Sequence, residues 1–167
     1  LSALPQTELE QVGRRLADAG VAVTVMPATD LFLMGREATE NISRGLAPAH
    51  RLIPYGVTCS ISTNNVLNPF TPFGDGSLLR LANLYANVCQ IGTPAGLEDC
   101  FKMITSDAAE IMKVDSYGIQ AGGPASLVVL DCQDSAAAVA ELATPLYSFK
   151  NGRQVLSRAP AIIGCEG

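Results

Sequence analysis

The stretch 56–76, GVTCSISTNNVLNPFTPFGDG, constrains the fold more than any other part of the chain. It begins with a short β-branched apolar run, 57–61, and continues into a polar loop holding Asn64, Asn65 and Asn68, Pro69 and Pro72, and Phe70. A helical pattern follows from Ser77. A buried strand that opens into a polar loop and then a helix is the βα unit of an α/β protein. In a barrel of such units the chemistry sits where the strand ends, because the loop there faces a shared cavity while the strand below holds it rigid. Function is therefore to be sought first at 63–70.

The flanking sequence fits this unit. The segment 5–19 predicts a helix: Leu9, Val12 and Leu16 share one face, Pro5 suits a first helical position, and Gly20 is a stop. The run 21–26 predicts a buried parallel strand ended by Pro27. A loop then carries Thr29 and Asp30, followed by Leu31 to Met34. The segment 37–48 is polar and ambiguous, and 48–55 has room for a short helix bearing His50. Helices are predicted at 77–90 and 97–112, separated by a break at 92–96. Beyond residue 116 the character changes: a strand at 127–130, a short Ala-rich helix at 135–142, and two apolar runs, 146–149 and 154–156. The Asn151-Gly152 pair between these runs is a strong hairpin signal.

Composition excludes some functions. The net charge is −5 with no basic run, which argues against nucleic acid as a partner. No apolar run reaches the roughly 18 residues needed to span a bilayer. The five cysteines have no zinc-like spacing and read as free thiols, mostly buried, in a reducing cytoplasm. The chain starts at Leu1 and enters a helical pattern almost at once, which reads as the start of a fragment.

Three segments resemble a known family. The first is Met26-Pro27 with Leu33-Met34-Gly35-Arg36. The second runs from Thr63 through Asn64, Asn65, Asn68, Pro69 and Phe70 to Pro72 and Gly74, and into the helix ending Val88-Cys89-Gln90. The third is Tyr117-Gly118-Ile119, Gly122, Ala125 and Leu127 to Asp131, followed by Lys150-Asn151-Gly152-Arg153 and Val155. Together they resemble the C-terminal portion of an amidohydrolase-superfamily enzyme of the cytosine-deaminase-like branch. The resemblance implies an α/β fold: the last two strands and helices of a metal-dependent (β/α)8 TIM barrel at 1–116, a small β-rich segment of a β-sandwich at 117–160, and a tail at 161–167. It implies hydrolysis of a C–N bond in a cyclic amide or amino-substituted heterocycle. In such enzymes a divalent metal, zinc or iron, lowers the pKa of a bound water, and an aspartate ending the eighth strand helps take its proton.

This sequence departs from that pattern. The metal-binding His-x-His pair, the later histidines and the catalytic Glu are absent from it. Asn64 stands at the position of the metal-ligating aspartate, with Asn65 beside it where a second Asp is usual, and Ser126 replaces another Asp. An amide oxygen ligates a metal weakly and cannot act as a general base near neutral pH.

The resemblance makes Asn64 and Asn65 the candidate catalytic positions, Asn64 also the weak metal position, and Asp30, Asn68 and Phe70 the candidate substrate contacts. Each has a plainer reading: turn asparagines, a loop or helix-capping carboxylate for Asp30, and packing for Phe70. His50 reads as a helix-surface or interhelical residue, and Asp75 as a helix cap. The metal is expected in the full-length enzyme, not in this piece alone. The expected partners are a small heterocycle and either further copies or the upstream half, because a quarter-barrel exposes strand edges. The alternative is a catalytically degenerate homologue serving as a binding or structural scaffold. An unrelated free-standing α/β binding module fits the composition but not the three segments.

Overall fold

A computed structural model describes residues 1, 4–42, 44–161 and 164. Most of the tail expected at 161–167, Cys165 included, lies outside the described residues. Helix α1 (Gln6–Asp18) leads into strand β1 (Val23–Val25), which lies parallel to β2 (Cys59–Ile61) with Thr24 opposite Ser60. Pro5 caps α1 rather than opening it, its carbonyl accepting from the Glu8 and Leu9 amides. Gly13 lets α1 approach the 3-10 helix Ala49–Tyr55, because a Cβ there would meet the Tyr55 ring at 2.9 Å. Strand β1 is shorter than the apolar run that predicts it.

Two sequence expectations are corrected. Pro27 does not open a loop; it is the first residue of helix α2 (Pro27–Leu33), so Thr29 and Asp30 are helical. A proline suits that position because its missing N–H has no intrahelical partner to lose. The single helix expected at 97–112 is two, α4 (Pro94–Met103) and α5 (Ser106–Ile111). Helix α4 starts early, inside the expected break, because Thr93 caps the Gly96 amide and Pro94 again takes the first position. The interruption follows from Thr105, whose hydroxyl donates to the Phe101 carbonyl at 2.7 Å while its own N–H turns to Lys102. A side-chain hydroxyl competing for a helix carbonyl bends the chain.

Helix α3 (Leu78–Val88) is capped by Ser77, whose Oγ accepts from the Arg80 amide. Helices α1, α3 and α4 and the 3-10 helix enclose one core around Leu9, Leu52, Cys59, Ile61, Tyr85 and Met103. Its strand residues come from one face of β1–β2; on the other face the Thr24 and Ser60 hydroxyls meet at 2.8 Å.

The C-terminal unit is a three-stranded antiparallel sheet in the order β3 (Leu127–Leu130), β4 (Pro145–Lys150), β5 (Arg153–Ser157). Asn151 and Gly152 both have positive φ, as a tight hairpin turn with this twist requires. Helix α6 (Ser135–Ala140) joins this unit to the rest by packing on α3 and α4, where Asn83 donates to the Val139 carbonyl.

Cys59 and Cys100 are buried and free. Burial pushes their thiols up to about 11 and about 12 respectively. A thiolate is the reactive species. An alkylating reagent at neutral pH is therefore expected to modify these two only as fast as the chain opens, with denaturant abolishing the protection. Peptide mass spectrometry of the labelled protein checks this; rapid native labelling of either residue would contradict it.

Candidate active site

Strands β1 and β2 run in the same direction, so the segments leaving them emerge at one end of the pair. From β1 comes α2, with Asp30. From β2 comes the loop expected to carry function. The parallel pairing continues one step beyond the strands, the Ser62 amide donating to the Val25 carbonyl at 2.9 Å. The loop then turns on itself. Asn64 takes a left-handed conformation, φ 54°, which asparagine tolerates better than most residues. The Asn65 amide donates to the Thr63 carbonyl, and the Thr63 hydroxyl donates to the Asn65 carbonyl at 2.7 Å.

The three asparagines have different occupations. Asn68 is fully engaged within the loop: its Oδ1 accepts from the Phe70 and Thr71 amides, both at 3.0 Å, and its Nδ2 donates to Asn65 Oδ1 at 2.7 Å. Asn65 is half-engaged through that contact. The Asn64 side chain is exposed and, among the described residues, makes no hydrogen bond, so of the three it is the unengaged one. Phe70 is 58% exposed and so is not loop packing within this chain. Asp30 is half-buried on α2, and its carboxylate has no hydrogen bond or ion pair among the described residues.

Beneath the loop, a cleft of about 330 Å³ lies between α2 and the start of α3. Its walls are Ala28, Leu31, Phe32, Phe73, Leu81 and Leu84. Phe32 and Phe73 meet edge to face at 5.8 Å, and the Arg36 guanidinium lies 5.0 Å over the Phe32 ring. An ion pair, Arg80 to Asp75 at 2.7 Å, borders the cleft. Asp75 also accepts from the Ser77 amide, but Ser77 is the helix cap expected of it. Of the loop residues 63–70 only Thr63 lines this cleft; Asn64, Asn65, Asn68 and Phe70 do not, nor does Asp30.

Sequence reasoning missed Thr29 and Thr71. They are 6% and 1% exposed, and their hydroxyls meet at 2.6 Å. No local pattern pairs two threonines so far apart in the chain. His50 lies away from the loop, as an interhelical residue: its amide and Nδ1 both bond the Tyr85 hydroxyl, at 3.1 and 2.9 Å. Burial lowers its pKa, Arg51 lowers it further, and Asp99 opposes them.

Among the described residues, no group of three or more His, Cys, Asp and Glu side chains is arranged to hold a metal. The one candidate ligand is the neutral amide of Asn64. That donor set does not fit a catalytic divalent metal, which takes about three protein ligands, typically imidazoles and carboxylates. No helix among these residues is long and apolar enough to cross a membrane.

In this α/β chain a polar loop leaves the end of a parallel strand pair, and a small antiparallel sheet follows. The chain belongs to the amidohydrolase family, which it matches over residues 1–156. It is 30% identical over 110 residues to N-isopropylammelide isopropyl amidohydrolase of Pseudomonas sp. (strain ADP), a match covering 65% of this chain and 27% of that protein. Its fold is similar to 5-methylcytosine deaminase from Klebsiella pneumoniae, solved with 5-fluorocytosine, with a TM-score of 0.88, 24% identity, and coverage of 98% of this chain and 40% of that one. It is also similar to atrazine chlorohydrolase from Arthrobacter aurescens TC1, solved with zinc, with a TM-score of 0.62, 22% identity, and coverage of 93% and 34%. The chain thus spans about a quarter of the length of the curated relative.

Proposed function

We propose that this chain forms the C-terminal part of a metal-dependent (β/α)8-barrel hydrolase that cleaves a C–N bond in a cyclic amide or an amino-substituted heterocycle. Residues 1–116 supply the last two strands and helices, and residues 117–160 supply part of a β-sandwich. The observation that carries this reading is the family match over residues 1–156, with a polar loop held at the end of a buried parallel strand pair. Asn65, Asn68, Phe70 and Asp30 surround the substrate, with Phe70 offering an exposed ring to a flat heterocycle. The remaining ligands for zinc or iron come from elsewhere in the longer protein. The open edges of β1–β2 are closed by the same missing part or by another copy. Free, buried thiols suit a reducing cytoplasm.

A second reading is a barrel kept as a scaffold without catalysis. Asn64 favours it, because a neutral amide supplies neither charge to a metal nor a general base.

Metal analysis and turnover on cytosine-like and triazine-like amines, measured on the longest purified polypeptide carrying residues 1–167, separate the two. The hydrolase reading expects about one divalent ion per chain and turnover, with both lost when residues 1–167 are made alone. A long polypeptide with neither metal nor turnover would leave the scaffold.

A further inference from the structure

We infer that Thr29 is a positioning residue that clasps the Asn64 loop shut through a relay of buried hydroxyls. The Thr29 hydroxyl lies 3.2 Å from the Thr63 carbonyl and 2.6 Å from the Thr71 hydroxyl. A carbonyl only accepts, so the single hydroxyl hydrogen of Thr29 goes to Thr63. Thr71 is then the donor to Thr29, and the order is Thr71 to Thr29 to Thr63. Thr63 and Thr71 are the two ends of the loop, and Asn64, Asn65, Asn68 and Phe70 all lie between them. The turn at 68–71 is closed as well: the amide of Asn68 bonds the carbonyl of Thr71, and the reverse, both at 3.1 Å. Thr29 is therefore the point where the segment leaving β1 sets the geometry of the segment leaving β2. It also fixes Asp30, its neighbour on α2, relative to Asn64.

Both threonines are nearly excluded from water, so the relay has no solvent substitute. Removing the Thr29 hydroxyl strands that of Thr71, which costs more than the bond itself.

The kinetic consequence rests on the hydrolase reading above; the structural one does not. Thr29→Val keeps the shape and removes the hydroxyl. In the whole purified protein, amide exchange at Phe70 and Thr71 is expected to quicken at least about tenfold relative to Ser62, whose N–H belongs to the strand pairing. Thr29→Ser should restore the slow exchange. Thr71→Val attacks the relay from the other side and should reproduce the effect, even where Thr29→Val fails to fold. Exchange that stays at the wild-type rate in both Val variants, that rises in step with Ser62, or that Thr29→Ser does not restore overturns the clasp. Where the wild type turns over a substrate, Thr29→Val should lower kcat at least about tenfold at unchanged metal content; an unchanged kcat overturns the positioning role. A wild type without turnover sinks the hydrolase reading and leaves the exchange test intact.

Discussion

Tyr85→Ala is expected to destabilise the chain by about 3–5 kcal/mol, the range for deleting a large aromatic from a core. That is a large part of the roughly 5–15 kcal/mol that holds a typical domain together. Tyr85 is 0% exposed and sits at the centre of the core that α3 shares with the 3-10 helix. Its hydroxyl is bonded as thoroughly as its ring is packed. It accepts from the His50 amide, shares a hydrogen bond with His50 Nδ1, and lies 3.4 Å from the Ala47 carbonyl. Tyr85→Phe isolates that polar part and is expected to cost about 1–3 kcal/mol, because the His50 groups lose their partner in a half-buried place. Urea midpoints measure both, provided the slope is unchanged. A Phe variant as stable as the wild type would show that the hydroxyl is replaced by water. The burial of His50 also sets a pH trend. His50 titrates below its usual 6.5, chiefly through burial, so the unfolded chain binds the proton first. Stability is complete above 6.5 and is lost as the pH falls through the lower folded value.

On the hydrolase reading, Asn64→Asp is expected to raise the affinity of the longest polypeptide carrying residues 1–167 for a divalent metal at least about tenfold, equivalent to about 1.4 kcal/mol. The change should cost the loop little. Aspartate, like asparagine, accepts a left-handed backbone, and the Asn64 side chain makes no bond that a carboxylate would break. Asn65→Leu is the contrasting variant, since it removes the acceptor for Asn68 Nδ2 and should loosen the loop without changing the charge. Competition with a calibrated chelator measures the affinities. No gain from Asn64→Asp would mean that position 64 does not face a metal, and the scaffold reading would then be preferred.

Much of this architecture is legible in the residues, for identifiable reasons. Leu127 to Leu130 reads as a strand because four apolar residues lie between turn signals, and the hairpin follows from Asn151-Gly152, whose backbone needs few residues can meet. Helix α3 shows its periodicity plainly. The failures also have causes. Pro27 serves equally as a strand stop and a helix start, and the choice depends on what packs on α2. Thr105 carries an ordinary helix propensity until its hydroxyl takes the Phe101 carbonyl. For the site, the loop and its asparagines stand out by composition, but their division of labour does not. That Asn68 serves the loop while Asn64 is unengaged depends on backbone turns, and the Thr29–Thr71 pair depends on a contact across 42 positions.

The two sheets also differ in when they can form. Strands β4 and β5 meet across a two-residue turn, whereas the Thr24–Ser60 contact of β1 and β2 spans 36 positions. A long loop must surrender its freedom before any contact rewards it, so local pairings form early and distant ones late. Loop entropy alone thus favours closing the hairpin before the parallel pair. The site stands on that late pair. Once closed, that pair is buried in the core and is expected to open only with it, whereas the exposed strand β5 frays sooner, a difference that hydrogen exchange would resolve residue by residue.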